Sequence, residues 1–372
     1  MHTDLQLEFP HDPGLLYLNH AAVAPWPART REAVSRFAME NTHQGARDYP
    51  RWLATEQRLR ERLAVLIHAD SADDIALLKN TSEGLSLVAF GIDWRPGDVV
   101  LISDQEFPSN RIPWQALTRF GVEVRELSLH GEDPEAGVIA AMADDRVRLL
   151  AISAVQYASG LRLDMARLGH ACRQQEVLFC VDAIQAIGAI PVDVQRWQAD
   201  FVMADGHKWM LGPEGLALFW CRPALRESLT LYQYGWHMVE HAGDYDRHDW
   251  QPAQSARRFE CGSPNLLCAH ALDASLSLLL ERGMDQISRE LESRVRRLQQ
   301  GLDACGMTLL SPTESGRFAG IVTFQSPREG SEALFRRLRQ AGVVCAPRGG
   351  GIRLSPHFYT SNSVIDRVLA LL

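Results

Sequence analysis

The chain has 372 residues, 46% of them hydrophobic and 23% charged, a balance that permits a sizeable core and excludes wholesale disorder. Its 38 Lys and Arg stand against 46 Asp and Glu, a net charge of −8 with no basic run, which argues against a partner that is nucleic acid or an anionic membrane. No apolar stretch approaches the ~18 residues of a membrane span, and at about 150 residues per domain the length predicts two to three domains, or one large and one small.

Residues 1–20 read as an irregular arm with Pro10, Pro13 and Gly14, ending in Tyr17-Leu18-Asn19-His20-Ala21-Ala22. The first residues, Met1-His2-Thr3-Asp4-Leu5-Gln6, lack the basic and apolar regions of a secretory signal, so the expected location is the cytoplasm. A helical pattern over residues 27–66 breaks near Gly45 and Pro50. Short apolar runs then alternate with helical stretches: 75–78, 98–102, 122–129, 148–152, 177–181, 201–204 and 215–220 read as strands. Most are apolar throughout. That pattern predicts an α/β fold with a mainly parallel sheet covered on both faces. Polar residues collect just after the strand ends, where such sheets bind ligands.

After residue 225 the character changes. A loop rich in His, Trp, Tyr and Arg runs to about 262, a long helical pattern covers 266–304, and residues 320–372 look like a small α+β unit. The expected division is an arm over 1–20, a large α/β domain over 21–262 and a small C-terminal domain over 263–372, with part of the N-terminal segment packing on the latter. The seven cysteines are odd in number and include no C-x-x-C pair, the pattern of buried thiols in a reducing compartment. His237-Met238-Val239-Glu240-His241 has the spelling of one zinc-peptidase motif. Its flanks read as loop, so no metal site is expected.

Four features carry chemistry. Thr81-Ser82-Glu83-Gly84, between a strand and a helix, suits either a helix cap or a phosphate. Asp182 ends an apolar strand, where a carboxylate either caps the next helix or partners a cation. Lys208 follows another strand, in Asp205-Gly206-His207-Lys208-Trp209; a lysine at a sheet end is a candidate for a lowered pKa and imine chemistry. It lies 26 residues after Asp182, about one crossover unit, so the two belong at the ends of neighbouring strands. Arg353, in Gly351-Ile352-Arg353-Leu354-Ser355, suits either a salt bridge or a bound carboxylate.

Asp182-x-x-Gln185 followed by His207-Lys208 resembles the class V aminotransferase family of pyridoxal 5'-phosphate (PLP) enzymes, of fold type I, which includes cysteine desulfurases, kynureninases and isopenicillin-N-epimerase-like proteins. Residues 17–22, 81–84, 259–265 and 351–358 resemble further motifs of that family in the same order, and the likeness runs from about residue 15 to the C-terminus. The resemblance implies that Lys208 holds PLP as an internal aldimine and moves the Cα proton. Asp182 would face the ring nitrogen and Gln185 the phenolic oxygen, while Phe107 would stack on the ring. Thr81, Ser82 and His207 would bind the phosphate, with Ser263 supplied across a homodimer interface. Arg353 would hold the substrate carboxylate, with His20, Gln156 and Tyr157 lining the pocket.

The implied function is a PLP-dependent enzyme acting on an α-amino acid by transaminase or lyase chemistry. Alternatives are cysteine desulfurase or selenocysteine lyase, kynureninase-like hydrolase, epimerase, and a PLP-fold binder without turnover. Two departures from the family stand out. Asp205 occupies a position where many relatives have Ser or Thr facing the phosphate, so it must turn away. Cys345 precedes Arg353 by only eight residues in a strand-like run, unlike the mobile-loop cysteine of desulfurases.

Overall fold

The apolar runs pair into one seven-stranded sheet. In the computed structural model, which describes residues 4–372, its strands are β1 (Ile75–Leu78), β2 (Val99–Ser103), β3 (Glu123–Leu127), β4 (Val147–Ser153), β5 (Leu178–Asp182), β6 (Phe201–Asp205) and β7 (Ala217–Cys221). Met1, His2 and Thr3, which open the expected arm and signal-free segment, lie outside the described residues. The spatial order is β1-β7-β6-β5-β4-β2-β3. Strand β7 runs antiparallel to both its neighbours, and every other pairing is parallel.

Burial explains the sequence pattern. All residues of β2, β6 and β7 are buried, as a sheet covered on both faces requires. The edge strand β3 instead carries Glu123, Arg125 and Glu126, charges that block further strand pairing. The chain turns outward from β2 to β3 and then returns to β4 on the other side of β2. This reversal opens a crevice at the carboxyl ends of β2 and β4, where ligands of such sheets bind.

The helical pattern over 27–66 forms two helices, Ala28–Gln44 and Tyr49–Ile67, broken where expected. The pattern over 266–304 also splits, into Leu266–Arg282 and Met284–Ala304. Gly283 lies between them at φ +81°, a conformation that side chains disfavour. The first helix buries Leu272, Leu276 and Leu279 in the core of the central sheet. The second buries Leu291, Val295, Leu298 and Leu302 against Val322, Phe324, Ile352 and Leu354 in a separate core. The core thus changes near Gly283, one helix after the division expected at residue 262.

The second core lies on an antiparallel sheet of Ala346–Arg348, Gly351–Leu354, Val322–Gln325 and Thr308–Leu309, in that order. The strand-like run around Cys345 forms two strands, one on either side of it. Val343–Val344 pairs in parallel with Leu16–Tyr17 of the arm, while Ala346–Arg348 joins the small sheet. The arm, read as irregular, also contains a one-turn helix, Leu5–Glu8.

Candidate active site

Register places the chemistry. Asp182, the last residue of β5, is level with Ser153 of β4 and Met203 of β6. The chain leaves β6 through Asp205 directly into Gly206-His207-Lys208. Glu106 and Phe107 follow the end of β2, and Gln156 and Tyr157 follow the end of β4. All therefore belong to the carboxyl side of the sheet, around the crevice.

Asp182 is 2% exposed and accepts one hydrogen bond, from the Ile184 N–H at 3.0 Å. Among the described residues no Lys, Arg or His nitrogen lies within 4.0 Å of it. Burial pushes its pKa up; the charge of Glu106 adds to the rise and that of Lys208 opposes it. The Lys208 amine is pushed down to about 8, by burial foremost and by the charge of Arg353, against the pull of Asp182 and Asp205. Lys208 Nζ lies 5.8 Å from the centre of the Phe107 ring. That ring is 41% exposed and packs edge-on against Tyr157 at 5.1 Å. An open aromatic face beside an unprotonated-prone amine and a buried acid without a cation suits a planar, cationic heterocycle bearing an aldehyde.

Arg353 is 3% exposed. It donates to the Tyr157 carbonyl at 2.7 Å, its Nε has no partner, and no carboxylate among the described residues pairs with it. Burial lowers it to about 10. A buried guanidinium left open is a ready receptor for a carboxylate.

The phosphate expectation changes in detail. Asp205 does turn away from open space, but onto Thr81: its Oδ2 accepts from the Thr81 N–H at 3.2 Å and hydroxyl at 3.3 Å. Its own N–H donates to Thr81 Oγ1 at 3.1 Å. The carboxylate thus occupies the N-terminus of helix Thr81–Gly91, a position that favours negative charge, and leaves Thr81 no free hydroxyl. Ser82 remains, donating to Ser109 Oγ at 2.8 Å, and His207 has a buried Nδ1 without partner. Burial lowers the pKa of His207 to about 4, so its ring is neutral.

Other expected residues are partly committed. Gln185 accepts from the Trp209 indole at 2.7 Å and donates to the Ala21 carbonyl at 3.0 Å, leaving one amide N–H. His20 is fully buried with both ring nitrogens engaged, by the Ser355 carbonyl at 2.8 Å and the Tyr359 hydroxyl at 2.7 Å. It has no free polar atom for a substrate, because folding uses it to fix the arm. Gln156 is fully buried, its Nε2 3.2 Å from Glu106 and its Oε1 unpartnered. Ser263 does not join this group; it lines a different cavity with Lys79 and Gly215.

Two residues were missed. Glu106 accepts from Ser103, Asn110, Gln156 and both the N–H and hydroxyl of Ser153, at 2.5–3.2 Å, tying the Phe107 loop to the end of β4. Trp209 is fully buried and fixes Gln185. Each stands directly beside an expected site residue, Glu106 before Phe107 and Trp209 after Lys208, and that adjacency is the signal the sequence carries.

The remaining motifs resolve elsewhere. His237 is buried, 3.7 Å from Glu260, whose carboxylate Arg60 already pairs, while His241 lines a separate surface groove. Cys345 is buried, and its thiol is pushed up to about 11. Ahead of Arg353, only Gly349 and Gly350 join strands Ala346–Arg348 and Gly351–Leu354.

Residues 16–367 match the aminotransferase class-V family. The chain is similar to a probable cysteine desulfurase of Pyrococcus abyssi, 27% identical over 99% of this chain and 96% of that protein. It is also similar to a cysteine desulfurase of Salmonella newport, 31% identical over 83% and 77%. Among solved structures it resembles the apo cysteine desulfurase of Thermococcus onnurineus NA1, with a TM-score of 0.89, 24% identity and coverage of 100% and 97%. The cystine C–S lyase C-DES, bound to its product cysteine persulfide, gives a TM-score of 0.89, 24% identity and coverage of 97% and 98%. At that identity the likeness is one of fold. No helix among the described residues is long and apolar enough to cross a membrane.

Proposed function

The chain belongs to the aminotransferase class-V family of PLP-dependent enzymes, and on that premise we propose that it is a lyase cleaving the bond from Cβ to a leaving group, sulfur foremost, in an α-amino acid. The observation that carries the amino-acid part of this reading is Arg353, buried without a carboxylate and bonded to the Tyr157 carbonyl just after β4, within electrostatic reach of the lowered amine of Lys208.

In this reading Lys208 would hold the cofactor through Nζ, with Asp182 at the ring nitrogen, Phe107 over the ring and the free amide N–H of Gln185 at its phenolic oxygen. Ser82, Ser109 and His207 would receive the phosphate, with Ser263 supplied by a second copy in a homodimer. When bound, PLP supplies a sink for the electron pair left at Cα. Arg353 orients the substrate by its carboxylate. Phe107 and Tyr157 cover the reacting atoms and limit water. Lys208, part neutral near pH 8, takes the proton from Cα. The leaving group would depart from Cβ with its bonding pair and take up a proton, and one water would hydrolyse the remaining enamine to a 2-oxo acid and ammonia.

Persulfide transfer in the desulfurase manner needs an exposed thiolate on a movable loop. The two-glycine turn ahead of Arg353 and the buried, high-pKa thiol of Cys345 provide neither. Purified enzyme incubated with cystine and with cysteine tests the proposal. Pyruvate and ammonia in equal amounts are expected. Alanine with the sulfur left at the zero-valent level, as a persulfide, would mean desulfuration, and a 2-oxo acid without ammonia would mean transamination; either outcome refutes the lyase reading. Light scattering of the holoenzyme tests the dimer.

A further inference from the structure

A cavity of about 320 Å³, the size of a small-molecule site, lies apart from the Lys208 site, although Glu83 and Phe259 of the motifs 81–84 and 259–265 reach its wall. Leu87 and Phe90 of helix Thr81–Gly91, together with Phe120 and Phe259, give it apolar walls, and Arg119 and Arg258 stand among them. None of Lys208, Asp182, Phe107 or Arg353 lines it.

Arg258 is 9% exposed, and its Nε has no partner. Among the described residues its guanidinium makes no hydrogen bond and no ion pair within 4.0 Å. Glu227 is the acid whose charge acts on it most, from beyond that distance. Its neighbours are treated differently. Arg226 pairs with Asp74, and Arg60 pairs with Glu56 and Glu260. In a chain with 46 acidic residues against 38 basic ones, an arginine stripped of water and left without a carboxylate is an exception. Arg119 likewise has no acidic partner among the described residues; its guanidinium rests on the rings of Phe90 and Phe120, at 5.2 and 4.7 Å. The cavity's own acid, Glu83, accepts the Lys79 N–H at 2.6 Å through one oxygen and keeps its charge, so two guanidinium groups stand against one carboxylate.

The aromatic and aliphatic part of the wall favours an organic body over a bare inorganic ion, and two open guanidinium groups disfavour a cationic guest. We propose that this cavity binds a small organic anion, a carboxylate carried on an aromatic or branched apolar body. Arg258 takes the carboxylate through paired N–H donors, Arg119 screens it, and the body packs on Phe90, Phe120 and Phe259. The inference is independent of which reaction the active site performs. An occupant would bear directly on the helix whose first turn carries Thr81 and Ser82.

Calorimetric titration of the holoenzyme with phenylpropanoate and with its neutral amide tests this. The acid is expected to bind, with the amide weaker by roughly tenfold or more. Arg258→Met should erase the preference, Arg119→Met should reduce it, and Arg353→Met should leave it intact. Should Arg258→Met fail to fold, Arg258→Lys, which keeps the charge but loses the paired donors, should still weaken the acid. Equal binding of acid and amide, or acid binding lost with Arg353→Met and kept with the Arg258 variants, overturns the proposal. So does a wild-type dimer that ignores the acid and falls apart in the Arg258 variants, for then the cavity is a contact between subunits.

Discussion

Lys208 loses water on folding, and that loss brings its amine from an ordinary value of 10.5 to about 8. The reactive form is the neutral one, so its fraction grows as pH rises through 8. Capture of PLP by the apoprotein, followed by absorbance, should accelerate between pH 7 and 9 and then level. A rate still climbing past pH 10 would show an unshifted lysine. Arg353 poses the opposite case, a charge held ready at a cost. Removing a buried, unpaired guanidinium relieves desolvation while deleting the substrate's anchor. Arg353→Met should therefore raise KM for the amino acid about a hundredfold while the melting temperature holds or rises. A large fall in melting temperature with unchanged KM would assign Arg353 to structure instead.

At the scale of elements, the Lys208 loop is held through its neighbour. The Trp209 indole donates to Gln185, its carbonyl faces His357 Nε2 at 3.1 Å, and its ring packs on Gly320. A Cβ added at Gly320 would stand 2.1 Å from the Trp209 ring. Gly320→Ala should cost about 1–3 kcal/mol by overpacking, read as a lower urea midpoint, and weaken PLP binding by shifting the loop. Wild-type values for both would show that the loop does not depend on this packing. The turn at Gly349 and Gly350, at φ +58° and +78°, is of the short hairpin type that only such residues adopt readily. It brings Arg353 to its position through a rigid sheet rather than a loop.

In the whole molecule, the two cores meet through the N-terminal arm. Leu16–Tyr17 pairs with Val343–Val344, Asn19 bridges Ser355, and His20 is bonded to Ser355 and Tyr359. Further along, Ala21 accepts from Gln185, and the Ala24 N–H donates to the His207 carbonyl at 2.8 Å. The arm therefore connects the small sheet to the residues beside Lys208. Deleting residues 1–18 should speed proteolysis of the C-terminal helix Asn362–Leu369 and weaken PLP binding. Unchanged digestion and binding would show that the arm merely lies on the surface.

The order of apolar runs and helical stretches determined the sheet, because a strand buried on both faces must be apolar along its length. The strand-end polar residues and their spacing likewise determined where Asp182 and Lys208 lie, while Phe107 was pointed to by the family resemblance. What the sequence alone could not decide is which polar groups satisfy one another. The resemblance offers Thr81 to a phosphate, yet it is taken by Asp205, 124 positions away. It offers His20 to a substrate, yet His20 is taken by groups 335 and 339 positions away. Glu106 gained its weight only when Ser153 and Gln156 were brought to it. A buried donor or acceptor must find a partner somewhere in the fold, and only the tertiary structure decides which partner it finds.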